Sequence, residues 1–116
     1  MPDPTPIAVT LKQLPSGQVV VSAKGDIGYH EAPTLRNVIR EAYDKKPKGL
    51  IVELSGVDYM ATPGLATLVE ALQISKKSQI PLTLAGMTER VRAVFEIARL
   101  HTVFRIVPDL DAALAP

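Results

Sequence analysis

The sharpest hydropathy pattern in the chain is the run Gly49-Leu50-Ile51-Val52-Glu53-Leu54-Ser55-Gly56. Apolar, partly β-branched residues of strand length end there at a Ser-Gly turn, as expected of a buried strand. Beyond Val57-Asp58-Tyr59-Met60-Ala61 the period lengthens. Apolar residues at 65, 68, 69 and 72 predict a helix that starts at Thr62-Pro63-Gly64 and runs to about Ser78. Thr62 suits the N-cap, where its hydroxyl would accept from a free backbone N–H. Pro63 suits the first helical position, where a missing N–H costs nothing. A hydroxyl is thus presented where a strand hands over to a helix, and free N–H groups and the helix dipole favour negative charge at such a place.

The remaining elements follow from the same two periods. Ile7, Val9 and Leu11 alternate with Ala8, Thr10 and Lys12, Leu14-Pro15-Ser16-Gly17 makes a turn, and Gln18 to Lys24 is a second strand, together an antiparallel hairpin. The loop Gly25 to His30 leads to Pro33 and a helix through about Asp44 with the stripe Leu35, Val38, Ile39 and Ala42. Pro47-Lys48-Gly49 closes that helix. Ile80 to Gly86 reads as a short strand, and Thr88 caps a third helix whose stripe is Val91, Val94, Phe95 and Ala98. Residues 103–107 form a last strand, and Asp109 caps a terminal turn through Leu114. The order ββαβαβαβα predicts an α/β fold. Right-handed crossovers would build a mixed, mostly parallel sheet of about five strands, with an antiparallel first hairpin and about four helices. Residues 1–6, three of them proline, are expected to form a disordered N-terminal arm, and residues 7–116 a single domain.

Composition narrows the chemistry. The 116 residues are 47% hydrophobic, enough for one core without staples, and the lack of cysteine excludes disulfides and thiolate catalysis. Thirteen basic against twelve acidic residues leave a net charge of +1, too little to draw nucleic acid or acidic lipid to the whole molecule. There is no signal-peptide pattern and no apolar run of membrane-spanning length, so a soluble cytoplasmic domain is expected, with no membrane insertion. His30 and His101 each lack a second ligand at metal spacing, and no glycine-rich phosphate loop is present, so neither metal nor cofactor is implied. Arg90, Arg92, Arg99 and Arg105 read as solvated helix and strand faces, and five scattered aromatics make no base-stacking surface. A small enzyme would need converging acid, base or metal groups around Asp26, Asp58 or His30, and the sequence shows no such set.

Three blocks, in order, resemble one known family. They are Gly25-Asp26-Ile27-Gly28 followed by Ala32-Pro33-Thr34-Leu35; Leu54-Ser55-Gly56-Val57 followed by Gly64-Leu65; and Val91-Arg92-Ala93-Val94-Phe95-Glu96 ahead of Leu100 and Phe104. From about Ile7 to Leu114 the chain resembles the STAS (sulfate transporter and anti-sigma factor antagonist) domain family. On this alignment the family's phosphorylated Ser falls on Thr62, the Asp before it on Ala61 and the second Ser on Pro63. Gly28 stands where the family has another Asp.

The resemblance implies a bacterial, non-catalytic signalling module of transcription regulation, similar to a stand-alone anti-sigma factor antagonist. It would bind an anti-sigma factor with serine/threonine kinase activity, be switched by phosphorylation at Thr62, and be reset by a phosphatase. Its implied contact residues are Asp26, Gly28, Tyr29, Asp58, Tyr59, Met60, Ala61, Pro63 and Gly64, on a monomer or weak dimer. A phosphothreonine carries about −1.5 to −2 charges at neutral pH. It would leave the fold intact and spoil an apolar docking surface of Tyr59, Met60, Pro63 and the exposed side of the second helix. Asp58 and Glu53 would add repulsion if they share that rim. The alternative implied by the same family is a constitutive cytoplasmic STAS subunit of a lipid-transporting ABC complex, docked on permease or ATPase subunits, with Thr62 a contact or cap.

Overall fold

Backbone pairing links five strands in the order β1-β2-β3-β4-β5, each beside its sequence neighbour. The computed structural model describes residues 7–115, so the expected arm at 1–6 lies outside the described residues. The strands are β1 (Ala8–Gln13), β2 (Gln18–Lys24), β3 (Gly49–Gly56), β4 (Leu82–Ala85) and β5 (Arg105–Val107). β1 and β2 pair antiparallel, and every later pair is parallel. The hairpin turns where expected: Gly17 donates its N–H to the Leu14 carbonyl at 3.0 Å and takes φ +92°, a conformation that glycine adopts without strain.

The crossovers are α1 (Ala32–Asp44), α2 (Thr62–Ser78) and α3 (Glu89–Ile97), and α4 (Leu110–Leu114) follows β5. Strand order never reverses, so right-handed connections lay α1, α2 and α3 on the same face of the sheet. Alternation along the strands shows it. Val19, Val21 and Ala23 of β2 and Leu50, Val52 and Leu54 of β3 pack with Leu35 and Ile39 of α1, Leu65 and Leu68 of α2, and Val91 and Phe95 of α3. The intervening residues Val20, Ile51 and Ala85 form a smaller cluster on the other face, under Ala113 of α4. Two specific contacts fix the helices. The buried Tyr43 hydroxyl of α1 donates to the Ala71 carbonyl of α2 at 2.8 Å and also pairs with Ser75 Oγ. Phe95 meets Phe104 edge-on, with ring centroids 5.6 Å apart.

Helix starts are set as the sequence indicates at two places. Thr88 Oγ1 accepts from the Val91 N–H at 3.3 Å, and Asp109 Oδ1 accepts from the Ala112 N–H at 2.8 Å. The α3 stripe is narrower than expected, since Ala98 is exposed and caps the helix end.

The start of α2 differs from expectation. Its N-cap is Ala61, with extended φ −83° and ψ 169°, Thr62 is the first helical residue, and Pro63 follows it. The Ala61 carbonyl accepts from the Gly64 and Leu65 N–H groups, as an N-cap carbonyl does. Thr62 therefore does not cap the helix, and no side chain caps it.

Candidate functional site

The site grows from the ends of β2 and β3. Past Lys24 and Gly56 the two chains stay side by side. The Gly25 N–H donates to Gly56 O at 2.9 Å, the Ile27 N–H to Tyr59 O at 2.9 Å, and the Ala61 N–H to Ile27 O at 2.8 Å. Ile27 and Met60 form an isolated parallel bridge. The loop before α1 and the loop before α2 are thereby stapled together, and both side chains at the staple are buried. Gly64 closes the same packing. A Cβ there would sit 2.6 Å from Met60 Cγ and 3.0 Å from Ile27 Cγ2, so any larger residue would have to push these two side chains aside. On the far side, Thr88 Oγ1 donates to the Val57 carbonyl at 3.1 Å and ties the β3–α2 loop to the start of α3.

What this frame exposes is a small surface. Asp26, Tyr29, Asp58, Tyr59 and Thr62 are exposed, Tyr29 at 72% and Tyr59 at 54%. Gly28 and Pro63 are half-buried. The Thr62 hydroxyl has no hydrogen-bond partner among the described residues. Met60, Ala61 and Gly64, expected to contribute surface, are buried: Met60 is 2% exposed and holds the loops from beneath. Glu53 does not share the rim. It shares with Ile51 the sheet face away from α1, α2 and α3, and its carboxylate accepts from the Ser55 hydroxyl at 2.8 Å. At the α1 end the Gly28 N–H donates to Glu31 Oε1 at 3.0 Å, so the carboxylate of this turn comes three residues after the family's Asp position.

Beside Thr62 a cleft of about 310 Å³ opens between α1 and α2. Tyr29, Ala32, Pro33 and Arg36 form one wall; Pro63, Ala66, Thr67 and Glu70 form the other. Within this lining Glu70 bridges both helices. Arg40 donates to Glu70 Oε1 at 2.6 Å, and Arg36 approaches Oε2 through Nε at 3.1 Å. The Arg40 hydrogen bond, with Arg36 in support, holds the Glu70 carboxyl below its ordinary pKa despite partial burial. Sequence reasoning missed this cleft and the Arg36–Glu70–Arg40 cluster. The available signal was the pair of arginines four residues apart, off the apolar stripe of α1, with a lone carboxylate on the next helix.

The comparisons agree with this geometry. The STAS domain profile matches residues 8–113. The anti-sigma-B factor antagonist of Listeria monocytogenes is 26% identical over 100 residues, which span 86% of this chain and 88% of that protein. An anti-sigma factor antagonist from Mycobacterium paratuberculosis superposes with a TM-score of 0.87 at 25% identity, over 98% of this chain and 96% of the other. The Bacillus cell fate determinant SpoIIAA, in its phosphorylated form, shares the fold with a TM-score of 0.70 at 17% identity, over 91% of this chain and 96% of its own. With its sheet, its helices and nearly its whole length matched, the chain belongs to the STAS domain family.

Proposed function

We propose that this chain is a partner-switching module that binds an anti-sigma factor in the cytoplasm and is released by phosphorylation at Thr62, catalysing nothing itself. The observation that carries the reading is the exposed Thr62 at the first turn of α2, its hydroxyl unengaged, flanked by two stapled loops and an open cleft. Relatives named anti-sigma-B factor antagonists, and a structural neighbour described in a phosphorylated form, support it. A phosphate at this position would meet the positive end of the α2 dipole, so the fold would tolerate it. A protein packed over Tyr29, Tyr59 and Pro63 would meet a hydrated anion instead of a hydroxyl and lose affinity. Incubation with a serine/threonine kinase anti-sigma factor and ATP should add one phosphoryl group by intact mass, and Thr62→Ala should abolish it. Label that survives Thr62→Ala refutes the assignment.

The second reading, a constitutive subunit of a lipid-transporting ABC complex, is favoured by the environment of the hydroxyl. Ala61 and Pro63 flank it where the family has Asp and Ser, and a permanently docked subunit needs no kinase substrate. Stable co-purification with permease and ATPase subunits, unaffected by Thr62→Ala, would select it.

A further inference from the structure

The α1–α2 cleft carries a chemistry of its own. Its walls include small, stiff residues: Ala32 and Pro33 on one side, Pro63 and Ala66 on the other. A volume of about 310 Å³ gives room for an inserted side chain and lies at the small end of the roughly 300–1,000 Å³ typical of ligand pockets. Where Arg36 and Glu70 line the cleft, two guanidiniums face one carboxylate, with Arg40 outside the lining. Arg40 makes the short bond to Glu70, and Arg36 reaches the same carboxylate at 3.1 and 3.3 Å with its side chain 48% exposed. Glu70 remains paired if Arg36 turns away, and neither arginine has another acidic partner among the described residues. The cluster therefore carries one surplus positive charge, and Arg36, whose Nε–Nη2 edge holds Glu70, keeps guanidinium donors at its outer end for a second carboxylate.

We propose that the α1–α2 cleft receives a partner segment in which an apolar side chain is followed by a carboxylate, the apolar group lying between Pro33 and Pro63 and the carboxylate pairing with Arg36. The proposal rests on the docking reading above for the importance of this surface, and it names the chemistry of the docking protein. A basic segment would be repelled by the surplus charge, and a wholly apolar one would bury guanidinium groups without new partners. Asp26 and Asp58 stand on the stapled loops while the arginines stand further along α1, so the surface is polarised along the helix axis and fixes the orientation of what docks. A phosphate on Thr62, next to Pro63, would repel the same carboxylate.

The test is a titration of the isotope-labelled, unphosphorylated chain with 3-phenylpropionate and, separately, its amide. Shifts are followed at the Ala66 and Thr67 amides and at Arg36 Nε–H. The carboxylate should bind about tenfold more tightly than the amide. Arg36→Gln, an exposed change, should erase that difference while the ring still binds. Equal binding of acid and amide, an unchanged preference in Arg36→Gln, or no shift in the cleft at millimolar concentrations overturns the proposal. Panning a random peptide library should enrich clones with an apolar residue close to Asp or Glu, and only on the wild-type chain. Enrichment of basic clones, or probe-free shifts that grow with protein concentration and assign the cleft to a second copy, overturns it as well. Neither measurement involves a kinase, so a failure of Thr62 to accept phosphate leaves both results standing, and the reverse holds.

Discussion

Ala61→Ser, Ala61→Asn and Ala61→Asp should each stabilise the chain. Ala61 has the backbone of an N-cap and no side-chain acceptor, so α2 begins uncapped. Supplying a cap is worth about 0.5–2 kcal/mol in general. Two local facts push the gain towards the lower end. Pro63 has no N–H, so Gly64 offers the one donor within reach of a capping side chain. That donor already bonds the Ala61 carbonyl at 2.9 Å and would have to be shared. Serine and asparagine should therefore gain about 0.5–1 kcal/mol. Aspartate adds a charge–dipole gain of roughly 0.3–1 kcal/mol, reduced because the site is only 8% exposed. Urea unfolding followed by circular dichroism reads this as a higher midpoint with an unchanged slope, and melting should rise by roughly 4 °C per kcal/mol. Salt should erode only the aspartate excess. If none of the three variants gains, or if aspartate alone does, the N-cap assignment at Ala61 is refuted.

Three further outcomes follow from the packing. Gly64→Ala forces a Cβ against Met60 and Ile27; overpacking of about 1–3 kcal/mol, offset by up to ~1 kcal/mol of helix propensity, should leave a net loss in the urea midpoint, and a gain would show that Met60 yields freely. Tyr43→Phe removes the bond to Ala71 and should lose about 1 kcal/mol. Burial raises the Tyr43 pKa, so its contribution is complete below about pH 10 and is lost as pH climbs through the folded value; the variant should flatten that alkaline decline. Glu70 has the opposite sign: its lowered pKa gives stability that is present above the ordinary Glu value and lost as pH falls through the folded one. The pair is exposed, so the loss should be about 0.5 kcal/mol, and Arg40→Gln should reduce it more than Arg36→Gln in unfolding titrations at neutral and acid pH.

Most of the architecture was legible because local signals and global folding agreed. The alternation of Ile7, Val9 and Leu11, the unbroken run of β3, and the caps at Thr88 and Asp109 all hold in the structure. Thr62-Pro63 misled because local preference and tertiary pairing compete there. By rule, threonine caps and proline follows, and the residue before proline avoids helical geometry. The bond from the Ala61 N–H to Ile27 instead fixes Ala61 as the last extended residue, so the helix opens one position earlier than the dipeptide suggests. Met60 was placed on the surface because nothing local marks which side of a loop is covered; Ile27 and Gly64, distant in sequence from each other, decide it. The Arg36–Glu70–Arg40 cluster was invisible for a related reason, since it joins side chains of two helices across 30 or more residues.

The bridge between Ile27 and Met60 bears on the thermodynamics of association. Loops that freeze only on contact subtract their lost freedom from the affinity, roughly 0.5–1.5 kcal/mol for each mobile side chain immobilised. Here the two segments carrying Tyr29, Tyr59 and Thr62 are already locked by main-chain bonds in the solitary chain. A visitor meets a finished shape, so even a modest contact area can give a lifetime long enough for one hydroxyl to decide whether it stays.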